Sequence, residues 1–114
     1  MVTINTNSDA GIFVIDIDGE IDASSSIQLD EVMESSITGE HAKILVNGEK
    51  LAYISSAGLG VFMSYIEDIK THNIKMVVYG LNEKVKNVFE ILGLDQLLNI
   101  VDKKEEAIAL VNEV

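Results

Sequence analysis

Apolar and polar positions along the chain fall into two alternating rhythms. Short apolar or alternating blocks occur at Thr3–Thr6, Ile12–Ile17, Lys43–Val46, Leu51–Ile54, Met76–Tyr79 and Asn99–Val101. Blocks of this length predict strands, and the nearly continuous apolar ones predict strands buried on both faces. Between them the period changes. Leu29, Val32, Met33 and Ile37 fall on one side of a helix, as do Leu59, Phe62, Met63, Ile66 and Ile69. Val85, Val88, Phe89 and Leu92 form an i, i+3, i+4, i+7 stripe expected to face the sheet, and Ala107, Ile108 and Val111 mark a last helix. The three methionines on these faces, Met33, Met63 and Met76, are expected to fill core space.

Punctuation supports the same division. Ser25 with Gln28 fits a capping box, Gly39 a stop, Asn82 a cap and Gly93 a left-handed terminator. Asp102 with Glu105 suggests the cap of the last helix. The predicted order is a β-hairpin, a helix, then strand–helix alternation. This gives an α/β single domain over residues 1–114: a mixed, mostly parallel sheet with about four helices packed on it. Ile44–Val46 and Met76–Tyr79 are expected to be its parallel central strands.

Composition narrows the chemistry. The chain has 114 residues, 47% of them hydrophobic, which is too apolar for disorder and long enough for a core. Cysteine is absent, which excludes disulfides, thiolate metal sites and a cysteine nucleophile. Eight lysines, no arginine and nineteen acidic residues leave a net charge of -11. Nucleic acid and anionic membrane surfaces are therefore unfavourable partners. The start lacks a signal-peptide pattern and no apolar run is long enough to span a bilayer, so the expectation is a cytoplasmic protein.

The informative stretch is Leu51–Phe62, an apolar strand running through small residues directly into a helix. Three familiar chemistries fail there on residue identity. A nucleophile elbow needs glycine two positions before the serine, where Ile54 stands before Ser56. A dinucleotide fingerprint from Gly58 and Gly60 would need glycine at Met63, and no Gly-Lys-Ser/Thr triplet makes a phosphate loop. What fits is a serine at a helix N-terminus, where free N–H groups suit a phosphoryl group. The same residue, Ser56, is also an ordinary helix cap, and the two readings are compatible.

The remaining candidates point to no catalysis. Asp16, Asp18, Glu20 and Asp22 alternate along a strand and read as a solvated face rather than a divalent-metal site. His41 and His72 lack neighbouring ligands and read as surface residues. No metal or cofactor is expected, and an enzyme of flavodoxin-like appearance lacks both a phosphate loop and a catalytic constellation.

With these segments in order, the whole chain resembles the STAS domain family, and within it the stand-alone anti-sigma factor antagonists of bacteria. Ile15–Ala23 (IDIDGEIDA) resembles the family's segment before the first helix, Ile44–Ile54 its central strand pair, and Ser55–Phe62 (SSAGLGVF) its signature loop. Val78–Leu98, with Glu83-Lys-Val and Leu92-Gly-Leu-Asp, resembles its last third. The resemblance implies a non-enzymatic partner switch. The unphosphorylated protein would bind a serine kinase that doubles as an anti-sigma factor, freeing the sigma factor. Phosphorylation of Ser56 would end the binding, and a phosphoserine phosphatase would restore it.

The docking surface implied by the resemblance comprises Asp22, Ser55, Ser56, Ala57, Gly58 and Leu59. Three positions depart from the family's pattern. The position before the acceptor is often Asp and is Ser55 here, so Ser55 is an alternative acceptor; the one after is Ala57 instead of Ser or Thr; and Asn47 replaces an Asp. The competing reading is a STAS scaffold subunit of a larger regulatory or transport assembly that is never phosphorylated.

Overall fold

A five-stranded sheet forms the middle of the molecule, with its strands side by side in chain order. The computed structural model describes residues 2–113, so the expected domain ends at 1 and 114 lie outside the described residues. Strands β1 (Val2–Asp9) and β2 (Ile12–Ile21) make an antiparallel hairpin. β3 (Lys43–Ile54), β4 (Lys75–Tyr79) and β5 (Asn99–Val101) then add in parallel. Ile44 stands opposite Met76 and Val46 opposite Val78, so the expected central pair is present. The helices are α1 (Ser26–Thr38), α2 (Ser56–Ser64), α3 (Ile66–Thr71), α4 (Glu83–Ile91), α5 (Leu94–Leu97) and α6 (Lys104–Val111).

The core lies in two layers. Ile15, Ile17, Ile44, Val46, Leu51 and Val78 point from the sheet into the larger one, meeting Leu29, Leu59, Phe62 and Phe89 from the helices. Phe62 and Phe89 pack with ring centroids 5.6 Å apart at 59°, a tilted geometry that suits two aromatic quadrupoles. On the other face Ile12, Leu45, Val77 and Tyr79 meet only α6, through Ala107 and Val111. Two lysines hold the end of that helix. Lys43 donates to the Asn112 side chain at 2.9 Å and Lys75 donates to the Glu113 carbonyl, placing positive charge at the negative end of the helix dipole.

Several local expectations change. The blocks Lys43–Val46 and Leu51–Ile54 are one long strand, and β2 matches it through register shifts between Asp16 and Asp18 and between Gly19 and Glu20. The helix after Ser56 breaks at Tyr65, whose hydroxyl lies 3.0 Å from the Asp30 carboxylate, and α5 adds a short turn. These two changes raise the helical segments among the described residues to six. Met63 is 46% exposed and Leu92 45% exposed, so neither fills the core as expected, whereas Met33, Met76, Val85 and Phe89 do. Asn82 caps α4 through Val85 N–H at 2.8 Å and Gly93 is left-handed. Asp102 does not cap α6: its carboxylate pairs with Lys86 at 2.9 Å, and Lys103 stands at the cap. His41 is half-buried and stacks on Phe13 with centroids 4.1 Å apart; His72 is exposed.

Candidate functional site

Parallel pairing of β2 with β3 ends at Ile21 opposite Ile54, both buried. The next rung is kept beyond the strand, because the Ser55 N–H donates to the Ile21 carbonyl at 2.8 Å. Asp22, thirty-odd positions away in sequence, is thereby tied beside Ser55 and the start of α2. The C-terminal edge of the sheet, where β2 and β3 end side by side, assembles the candidate surface.

At that edge Ser55, not Ser56, is the helix cap. Its backbone is extended and its hydroxyl accepts the Gly58 N–H at 3.2 Å, while its carbonyl accepts the Leu59 N–H at 3.0 Å. The expectation that Ser56 caps the helix is corrected by one position. Ser56 is the first residue of α2 and is exposed, as is Ala57, and no hydrogen bond engages the Ser56 hydroxyl among the described residues. With the Gly58 donor taken by the cap, the N–H groups of Ser56 and Ala57 are the open donors of the turn.

Gly58 and Leu59 belong to the interior. Leu59 is 1% exposed, and a Cβ on Gly58 would come within 2.7 Å of Ile54 and 2.8 Å of Ile21. The helix therefore starts in contact with the strand ends. A docking protein would meet Ser56 and Ala57 directly, and Gly58 and Leu59 only through the shape they give the turn.

Asp22 is held from the other side. Its Oδ1 accepts the Ser25 N–H at 2.9 Å, the Ser24 hydroxyl at 2.8 Å and the Ser25 hydroxyl at 3.0 Å. These bonds, the Ser25 N–H first among them, lower its pKa from 3.8 to about 2. The expected Ser25–Gln28 box is absent, since Ser25 has helical φ and ψ and its side chain caps nothing. Asp22 instead organises the turn into α1, which leaves a rigid, ionised carboxylate at the surface.

Lysines are absent from the chain segments that build the surface, although Lys84 at the start of α4 lies beside Tyr53 and Ile54. No lysine occurs between Gly19 and Ala42 or between Leu51 and Ile69. Among the described residues no cluster of three metal-ligating side chains occurs. Among the described residues no helix is long and apolar enough to cross a membrane. Two exposed apolar side chains lie on the flanking helices: Ile27 on α1, 65% exposed, which the sequence reading left out, and Met63 on α2, which it placed in the core. Ile27 could have been found, because it falls off the Leu29–Val32–Met33 stripe.

The family model for the STAS domain matches residues 3–107. The chain belongs to the STAS domain family. Among curated proteins, this STAS domain is 25% identical to an anti-sigma-B factor antagonist of Staphylococcus aureus over 104 residues, covering 91% of this chain and 96% of the relative. It is 28% identical to that of Listeria monocytogenes over 88 residues, 77% of each chain. Among solved structures, an anti-sigma factor antagonist from Mycobacterium paratuberculosis superposes with TM-score 0.91 at 16% identity, covering 99% of this chain and 96% of the other. The STAS fold is thus shared at low sequence identity.

Proposed function

We propose that this STAS domain is an anti-sigma factor antagonist that works as a phosphorylation-operated binding switch, with Ser56 as the acceptor. The observation that carries the reading is the division of labour between adjacent serines. Ser55 is half-buried and occupied as the cap, while Ser56 offers an exposed, unengaged hydroxyl on the first turn of α2. A kinase can take Ser56 into its active site without dismantling the helix start. Once formed, the phosphate lies beside the Ser56 and Ala57 N–H groups and the positive end of α2, so the fold should hardly change.

The partners in this reading are a cytoplasmic serine kinase that sequesters a sigma factor, and a phosphatase that resets the serine. The kinase presents a cationic docking face, because the protein carries a net charge of -11 and Asp22 stays ionised. Opposite charge accelerates encounter. The small side chains of Ser55–Gly58 let the partner approach the backbone closely. A phosphate there adds bulk and a dianion facing the kinase's own nucleotide phosphates. Uncompensated charge in an interface costs several kcal/mol, so affinity should fall by about a hundredfold or more.

Titration calorimetry against the kinase tests the reading with four forms: unmodified, phosphorylated, Ser56→Ala and Ser56→Asp. Tight binding by the unmodified protein and Ser56→Ala, and weak binding by the other two, is the expected result. Equal affinities for all four would favour the scaffold reading, in which the protein is never released by modification.

A further inference from the structure

β1 is the outermost strand of the sheet on the hairpin side. It runs from Val2 to Asp9 against β2 with no shift of register. Ala10 and Gly11, both at positive φ, close the hairpin as a two-residue turn. Such a turn makes Asp9 and Ile12 a hydrogen-bonded pair, and bonded and unbonded pairs alternate from there along the ladder. Thr3, Asn5, Asn7 and Asp9 therefore bond to β2. Val2, Ile4, Thr6 and Ser8 turn their N–H and C=O groups outward.

Nothing in the fold takes up those outward groups. Among the described residues no backbone hydrogen bond reaches β1 from any segment but β2, and Thr3 and every residue from Asn5 to Asp9 are exposed. Sheet edges are ordinarily blunted by lysine, by proline, by a bulge or by being short. The opposite edge is short, since β5 covers only Asn99–Val101. β1 has none of these devices. It is long, regular and without lysine or proline, and its one charged residue is Asp9 at the end.

We infer that β1 pairs with β1 of a second copy of this chain, antiparallel across a twofold axis at Asn5. The outward groups restrict the register, because only residues of that set can bond to one another across the new ladder. An axis at Asn5 is the choice that engages all of Val2–Ser8 in both copies. Ile4 of one copy then meets Thr6 of the other, Val2 meets Ser8, and Asn5 faces Asn5 as an unbonded pair.

The strand is complementary to itself in that register. Ile4, which packs against the larger core, gains Thr6 of the other copy as a neighbour on the same face. Thr3, Asn5 and Asn7, all uncharged, meet on the opposite face. Charge repulsion, the main obstacle for a chain at -11, is kept at a distance. The two Asp9 residues stand at opposite ends of the ladder, about 27 Å apart at the usual rise per residue. Asp16 and Asp18 on β2 lie three strand spacings from their counterparts, about 14 Å or more, beyond the screening length of about 8 Å. A cationic strand from another protein would find no carboxylate to pair with on Val2–Ser8. The neutral edge selects its own copy.

Sedimentation equilibrium over a range of concentrations at physiological ionic strength tests the inference. The mass should rise from one chain to two and stop there. Thr6→Pro removes an outward N–H and leaves the β2 ladder intact, and by symmetry it deletes two bonds, so the dissociation constant should rise about tenfold or more. Thr6→Lys should act in the same direction with an unaltered backbone, which covers the case of a proline variant that fails to fold. Cysteine variants read the register, because the natural chain has none. Asn5→Cys places two thiols in an unbonded pair with Cα atoms about 4.5 Å apart, close enough for a disulfide, so oxidation should trap a dimer. Asn7→Cys should not. A monomer up to millimolar concentration, a dimer undiminished in a folded Thr6 variant, or equal trapping by both cysteines would each overturn the assignment.

Discussion

The Ser55 N–H donates to the Ile21 carbonyl at 2.8 Å, and this bond links the two halves of the proposed docking surface. It continues the β2–β3 ladder one step past the last paired residues, so the sheet brings Asp22 and Ser56 together, and the Ser24–Ser25 turn fixes the Asp22 carboxylate. A surface set this rigidly can be switched by charge alone, without a conformational change.

The two serines should separate in stability as well as in modification. Ser55→Ala removes the acceptor for Gly58 N–H and should destabilise by about 1 kcal/mol, within the usual range of lost caps. Ser56→Ala touches no hydrogen bond and should stay within about half a kcal/mol of the parent. Urea unfolding reads both. Mass spectrometry after kinase treatment should place the phosphate on Ser56, and phosphate found only on Ser55 would reverse the assignment.

Two glycines of α2 should respond in opposite directions to alanine. At Gly58 the new methyl meets Ile54 and Ile21 closer than 3 Å, and this crowding should outweigh the better helix propensity. A net loss of about 1–2 kcal/mol is expected. At Gly60 nothing lies within 4 Å, so alanine should stabilise by up to about 1 kcal/mol. Thermal melts of the two single variants check the contrast.

Phe89→Ala should cost about 3–5 kcal/mol, because the ring is fully buried against Phe62 and leaves a cavity. Leu92→Ala, at a half-exposed position one turn on, should cost well under half as much. Similar costs for both would mean that α4 is rotated about its axis.

The pH dependence follows from Asp22. Its folded pKa, about 2, lies below the ordinary 3.8, so its bonds stabilise the fold in full above pH 4. That contribution disappears as pH falls from about 4 to 2. Carboxyl-carbon NMR should show Asp22 titrating near pH 2, and Asp22→Asn should flatten this part of the acid-unfolding curve. A midpoint near 4 for Asp22 would show that the Ser24–Ser25 turn does not hold it.

The strands and α4 were legible because local signals agreed there: Asn82 at the cap, an unbroken stripe, Gly93 at the end. Where two local signals compete, residue type alone decides nothing. Ser55 and Ser56 are equally good caps by composition, and only the bond to Ile21 fixes which one is extended. The polar pair Glu49–Lys50 reads as a gap between strands, yet β3 carries extra residues against β2 there and both sides of the pair stay in one ladder. The break at Tyr65 keeps the apolar phase from Leu59 to Ile69, and the Tyr65 hydroxyl reaches Asp30 on another helix, a contact no local pattern announces. Asp102 looks like a cap in its own segment but is drawn to Lys86, sixteen positions earlier. Long-range partners account for these misses.

Strand order equal to chain order also shapes how the protein is made. As the polypeptide leaves the ribosome, each new strand finds the edge it must join already formed, and no slot has to stay open for a later arrival. The hairpin can template β3, β3 can template β4, and the helices between them shield one side as synthesis proceeds. The other side waits longest. Leu45 and Val77 gain their cover only when α6 emerges, so a nascent chain paused before Lys104 would show chaperones a bare apolar strip.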